Sequence, residues 1–323
     1  MCTAISVTVK DNYFGRNLDY EHTFGEKITI TPRNYKFQFT KGEVINNHYA
    51  MIGMALPLNN YPLYFDASNE MGLSMAGLNF PENACYNAEV NGKENVASYE
   101  FIPWVLTQCK NVDEAEKMIS DINITDKAFS KGLTPTPLHW IIADKERAIT
   151  VEQTKAGLEI YKNDLGVLTN SPAFDMQMTN LCNYMNITSD QPQNRFCHKA
   201  DLKIYSRGMG AIGLPGDLSS MSRFVRASFV KCNSVFGNTE EEVVNQFFHI
   251  LYSVYQQKGC VKVGEGYEIT NYTSCCNTDK GIYYYRTYNN SSTCAVDMYR
   301  EYLDGADLIV YNLIDKQDIY LQN

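Results

Sequence analysis

The chain has 323 residues, 44% of them hydrophobic and 20% charged, which suits one large globular unit or two ordinary ones with an ample core and excludes a disordered or fibrous chain. A formal net charge of -9 argues against a general nucleic-acid binder, because phosphate binding needs a positive surface field. Any anionic substrate has to be met by local arginines.

Strands open the chain. In Thr3 to Val9 the apolar Ile5, Val7 and Val9 alternate with Ser6 and Thr8, which predicts one buried face and one small, polar face carrying Cys2. Lys10-Asp11-Asn12 is turn chemistry, and Tyr13 to Asp19 reads as the returning strand of a β-hairpin. Counting back from a short turn pairs Asp19 with Thr3 or Ala4, so local topology delivers a carboxylate close to the chain start. Gly15 marks a bulge or a close backbone approach. Arg16 falls opposite Ser6 or Val7 and on the face opposite to Asp19, so a bulge or strong twist is needed for both to serve one site.

Further strands are predicted over Lys27 to Thr31, Tyr49 to Leu56, Tyr64 to Asp66 and Leu73 to Leu78. Helices follow over Ser98 to Cys109 and Val112 to Ile122, then an antiparallel set over Leu138 to Ala143, Ala148 to Glu152, Leu158 to Lys162 and Val167 to Thr169. Helices return over Phe174 to Met185, Leu218 to Val230 and Glu240 to Gln256. The last has a capping box from Thr239 to Glu242 and the apolar spacing Val243, Phe247, Ile250, Leu251 and Val254. Strands resume at Gly281 to Tyr288, Ala295 to Tyr299 and Leu308 to Tyr311. Blocks of strands and helices, rather than strict alternation, predict the α+β class: two stacked antiparallel sheets between helical layers, a four-layer αββα sandwich. No linker, repeat or low-complexity tract interrupts the chain, so a single domain over 2–323 is expected, with Met1 removed.

Cys2 carries the chemistry. Removal of Met1 leaves a thiol and a free α-amine on one residue, with ordinary pKa values of about 8.5 and about 7.7 to 8.0. The neutral amine can take the thiol proton during attack on a carbonyl and hand it to the leaving group. The five histidines, His22, His48, His139, His198 and His249, have no motif neighbours; a papain-like pairing with the cysteine stays open but is unnecessary. The ten cysteines include no CxxC pair, so they read as free thiols in a reducing cytoplasm, with no metal site and no cofactor. Cys197-His198 and Cys275-Cys276 read as structural. Nothing upstream of Cys2 can be a signal peptide and no apolar run approaches a membrane span, which predicts no membrane partner.

Several motifs together resemble the choloylglycine hydrolase family, the bile salt hydrolases among N-terminal-nucleophile hydrolases. They are Met1-Cys2-Thr3-Ala4-Ile5, Phe14-Gly15-Arg16-Asn17-Leu18-Asp19, Ile30-Thr31-Pro32-Arg33-Asn34-Tyr35 and Asn69-Glu70-Met71-Gly72-Leu73 with Met75 to Pro81. Leu168 to Pro172, Gly213 to Asp217, Ser222-Arg223-Phe224, Tyr267 to Tyr272 and Gly281 to Tyr285 carry the resemblance almost to the C-terminus. It implies the N-terminal-nucleophile hydrolase fold and cleavage of the amide joining a steroid acyl group to glycine or taurine. Cys2 is then the nucleophile, Arg16 favours its thiolate, Asp19 holds the α-amine, Asn79 and Asn170 donate to an oxyanion, and Arg223 completes the cluster.

A conjugated bile salt is a rigid apolar body with an anionic end, so its pocket should be apolar loops around a few polar groups. Three segments have that character: Tyr20 to Gly25, with Tyr20, His22 and Phe24; Ala55 to Tyr64, with Ala55, Leu56, Leu58 and Tyr64; and Phe129 to His139, with Phe129, Leu133, Thr136 and His139. Penicillin V acylase is the rival within the class, but Asn79 in Gly77-Leu78-Asn79-Phe80-Pro81 resembles the bile salt branch, where acylases tend to carry tyrosine. Transfer of the acyl group to another amine, and a non-catalytic binding or thiol-sensing protein on the same fold, are the other readings. The resemblance also implies a homotetramer.

Overall fold

The opening hairpin pairs β1 (Cys2–Thr8) with β2 (Asn12–Tyr20) in a computed structural model that describes residues 1–42 and 44–323. Its register differs from the expected one: Cys2 lies opposite Leu18, Ala4 opposite Arg16 and Thr8 opposite Asn12. Asn12 is a ladder residue rather than a turn residue, because its Oδ1 accepts from the Ser6 and Thr8 hydroxyls at 3.3 and 3.1 Å. The tight turn shifts to Val9–Asp11, so Asp19 falls opposite Met1, its N–H donating to the Met1 carbonyl at 2.9 Å. Both faces of β1 are buried as far as Val7, whereas the alternation predicted one polar face. A sheet covered on both sides has no solvent face to pattern.

β1 and β2 belong to a six-stranded sheet with the spatial order Val167–Leu168, β1, β2, Ile269–Asn277, Ile282–Thr287 and Cys294–Asp297. The second sheet has eight strands, running Gly157–Lys162, Ala148–Thr154, Leu138–Ala143, Ser74–Asn79, Tyr61–Asn69, Met51–Leu58, Lys27–Thr31 and Ile309–Tyr311. Every pairing described within these two sheets is antiparallel. Helices α1 (Phe101–Leu106) and α2 (Val112–Ile119) pack on the eight-stranded sheet. α4 (Ser220–Asn233) and α5 (Glu240–Tyr252) cover the six-stranded one, with α3 (Phe174–Leu181) packed beside α4. The result is the four-layer αββα sandwich.

Two cores hold the layers. One joins Ile5 and Phe14 of the first sheet to Ile52, Ala76 and Ile141 of the second and to Phe224, Phe247 and Leu251 of α4 and α5. The other packs Met75, Ile142 and Val151 against Phe101, Trp104 and Ile119. Each fully buried large apolar side chain contributes about 1.5–3 kcal/mol. The capping box at α5 forms as predicted, with Thr239 accepting from the Glu242 N–H and Glu242 returning to the Thr239 N–H.

Candidate active site

The hairpin brings Cys2 and Arg16 onto the face that looks into the second sheet. Cys2 is 4% exposed and Arg16 1%. Arg16 donates to the carbonyls of Phe65 and Gly77, both on strands of the opposing sheet. Burial alone would weaken the Arg16 cation, but the neighbouring Cys2, Tyr272 and Asp66 outweigh it and hold its pKa above the ordinary value. Gly15 admits the next strand closely, since a Cβ there would lie 2.0 Å from the Ser274 carbonyl oxygen.

Asp19 points the other way, towards the helical layer, so no bulge in β1 or β2 reconciles it with Arg16. The irregularity sits on the neighbouring strand, where the register shifts between Thr270 and Tyr272. That bulge aims the Thr270 hydroxyl at Asp19 Oδ1, 2.6 Å away. Asp19 is fully buried, and its Oδ2 has no hydrogen-bond partner among the described residues. Burial raises its pKa to about 6, against the pull of Arg223, the chain-start ammonium and Thr270. With Met1 in place, that ammonium donates to the Asp19 carbonyl at 2.6 Å and to the Glu268 carboxylate.

Asn170 and Arg223 close the cluster from the other side. The Cys2 N–H donates to Asn170 Oδ1 at 2.7 Å, and Arg223 Nη2 donates to the same oxygen at 2.8 Å. Arg223 Nη1 donates to the Cys2 carbonyl and to Thr3 Oγ1, and lies 3.9 Å from Asp19 Oδ2. Burial lowers the Arg223 pKa, with Asp19, Cys2 and Glu268 opposing the shift. On the same helix Arg226 is partly exposed and donates to the Gly216 carbonyl at 2.9 Å. Asn170 Nδ2 donates to the Asn79 carbonyl at 2.7 Å, which brings Asn79 into the group. All six expected site residues therefore fall together. Thr3, Thr270, Glu268 and Ser220 join them without having been singled out; the only signal was polar residues spaced along strands and at a helix start.

The expected lining residues divide. Tyr20, His22 and Phe24 cluster, with ring centroids 4.8 to 5.1 Å apart, and Phe24 meets Phe65 at 5.5 Å. This patch adjoins the site through Asp19 and through the Phe65 carbonyl that takes Arg16. Phe129 packs instead with Tyr61 and Tyr99; Leu56 and Leu58 are half-buried, and Leu133 and Thr136 exposed. Ala55 and Tyr64 belong to the second core, where the Tyr64 hydroxyl meets Thr31 Oγ1 at 2.7 Å. His139 is fully buried with both ring nitrogens engaged. All three are buried, and apolar residues on strands buried from both sides read alike whether they line a cleft or a core. Two cavities, of about 550 and 160 Å³, lie away from Cys2.

A buried thiol whose own backbone nitrogen is held by a side-chain oxygen, flanked by two arginines and a carboxylate, is equipped for nucleophilic attack on a carbonyl. The sequence matches the profile described as linear amide C-N hydrolases, choloylglycine hydrolase family, over residues 2–311. The chain belongs to the choloylglycine hydrolase family. It is 52% identical over 324 residues to the bile salt hydrolase/transferase of Lactiplantibacillus plantarum, covering 100% of both chains. It is 38% identical to the bile salt hydrolase/transferase of Clostridium perfringens, covering 96% of each. The crystal structure of the C2A conjugated bile acid hydrolase from Clostridium perfringens superposes with a TM-score of 0.92 at 36% identity, covering 100% of both chains. Penicillin V acylase from Agrobacterium tumefaciens shares the fold, with a TM-score of 0.77 at 18% identity over 98% of this chain and 94% of that one.

Proposed function

We propose that this choloylglycine hydrolase family member, as a single domain over 2–323, cleaves the amide bond of glycine- or taurine-conjugated bile salts with Cys2 as nucleophile. The observation that carries the reading is the second-position thiol, whose own nitrogen is held by Asn170 at 2.7 Å, set beside Arg16, Asp19 and Arg223. After loss of Met1, the Cys2 amine keeps Asn170 Oδ1 as acceptor, and Asp19 Oδ2 is uncommitted to receive its ammonium form. Sγ attacks the amide carbon while its proton passes to the amine, and Arg16 favours the thiolate. The amides of Asn79 and Asn170 donate to the tetrahedral oxyanion. Collapse returns the proton to the leaving nitrogen and frees glycine or taurine. Water then attacks the thioester, giving its proton to the same amine, and the bile acid leaves with the thiol restored. The half-exposed aromatic patch of Tyr20, Phe24 and Phe65 suits a rigid apolar acyl group.

Initial rates on glycocholate, taurocholate and penicillin V test the substrate. The conjugated cholates turn over at least about tenfold faster in kcat/KM, and faster penicillin V turnover overturns the choice. Ionised Asp19 is the form that holds an ammonium, and burial raises its pKa above the ordinary carboxylate value, so activity falls as the medium is acidified through that range. Asp19→Asn loses most of the rate and shifts the acid limb, leaving only the titration of the amine itself; a variant with the wild-type rate and limb contradicts the role. Two further features support a cytoplasmic homotetramer. All ten cysteines are free thiols, and the stretch 185–212 leaves Met185, Phe196 and Tyr205 81%, 93% and 81% exposed, the kind of apolar surface that a partner copy covers. Light scattering giving a monomer mass would remove the tetramer. Among the described residues no helix is long and apolar enough to cross a membrane.

A further inference from the structure

We propose that His139 and Glu152 are positioning residues that fix the orientation of Asn170 from outside the site. Both side chains are fully buried, and their contacts run towards Asn170 rather than towards any opening. His139 Nε2 donates to the Thr169 carbonyl at 3.0 Å, and Nδ1 meets Glu152 Oε1 at 2.9 Å. Glu152 also accepts the Phe174 N–H at 3.1 and 3.3 Å. The two residues, both on the eight-stranded sheet, thereby tie down both ends of the segment Thr169 to Phe174 that carries Asn170.

The peptide between Thr169 and Asn170 is held twice. Its carbonyl takes the His139 bond, and its N–H donates to Ser220 Oγ at 2.9 Å, at the start of the helix bearing Arg223. Pinning the plane at both polar atoms sets the direction in which the Asn170 side chain leaves the backbone. Phe80 stacks on the His139 ring, with centroids 4.2 Å apart and planes 5° from parallel, which fixes the ring in turn. A buried His–Glu pair gains little stability over apolar residues of the same shape, so its hydrogen-bond geometry is what the site uses. A misplacement of about 1 Å at a reacting group costs about 10²-fold in rate, which is the scale on which such bracing matters.

This rests on the reading of Asn170 as an oxyanion donor, and the test separates the two. In His139→Gln the amide nitrogen replaces Nε2 and keeps the bond to the Thr169 carbonyl; in His139→Asn the amide replaces Nδ1 and loses it. In Glu152→Gln the new amide donates to His139 while its oxygen still accepts from Phe174. On glycocholate, His139→Asn loses about 10- to 100-fold in kcat with KM within about twofold, whereas His139→Gln and Glu152→Gln stay within about fivefold of wild type. Alkylation of Cys2 by iodoacetamide, which needs no oxyanion donor, proceeds at the wild-type rate in all three. Equal losses in the Asn and Gln variants, a raised KM in place of a lowered kcat, or alkylation falling in parallel overturn the proposal. In wild type the Phe174 amide exchanges slowly with deuterium, a readout independent of variants, and fast exchange there overturns it too. Wild type inert towards glycocholate sinks the substrate reading while the exchange result still stands.

Discussion

Cys2→Ser lowers glycocholate hydrolysis at least about 10⁴-fold, in line with losses of about 10⁶-fold when a nucleophile is removed from a catalytic triad. The substitution changes one atom at a position 4% exposed, so the fold stays and the melting temperature moves by less than about 4 °C. What is lost is nucleophilicity. A hydroxyl does not ionise near neutral pH, and Arg16 and Arg223 beside it have no thiolate to stabilise. Initial rates and a calorimetric scan on the same sample check both halves. Retention of more than about a hundredth of the activity would mean that another group attacks, and with that result the thiol-sensing reading of Cys2 becomes the better one.

Asn170→Ala has the second largest effect, and it acts on rate and stability together. The side chain accepts from the Cys2 N–H and from Arg223 Nη2 and donates to the Asn79 carbonyl. Removing it takes away an oxyanion donor, worth about 10²- to 10³-fold in kcat, and leaves the fully buried Arg223 guanidinium short of one acceptor. A hydrogen bond to a charged group contributes about 1.5–3 kcal/mol, so the midpoint of denaturation falls as well. Asn170→Asp separates the two roles, because it keeps the acceptor towards Arg223 but has no N–H to donate. Its stability recovers towards wild type while its kcat stays about 10²-fold low. An Asp variant as fast as wild type would remove Asn170 from the oxyanion site.

The sequence shows the opening hairpin, the helices and the order of the blocks because those elements carry local signals: alternation, turn residues and a capping box. The strand Ile269–Asn277 carries none. It is central and buried on both faces, yet it offers no apolar alternation, since its side chains are spent on polar partners. Thr270 goes to Asp19, Tyr272 and Ser274 to Asp66, and Thr273 to Asn17. For the same reason the bulge near Thr270, which aims a hydroxyl at Asp19, could not be found from β1 and β2 alone. The short parallel pair Glu94–Ala97 and Ile122–Thr125 was missed because four-residue strands flanking helices fall below any periodic signal. The polar cluster around Cys2 was legible where a motif named its residues. Lining residues were not, because Ala55 and Tyr64 look as suitable for a cleft as for the core they occupy.

In the proposed mechanism, attack and proton transfer are both carried by the first residue of the processed chain. Protein purified with Met1 retained tests it most directly, because its Cys2 thiol is intact while its nitrogen is an amide without basicity. With folding verified, such protein hydrolyses glycocholate about 10²- to 10⁴-fold more slowly than the processed form, and trimming Met1 restores the rate. Met1-bearing protein, confirmed by intact mass, that works at full speed would rule this mechanism out.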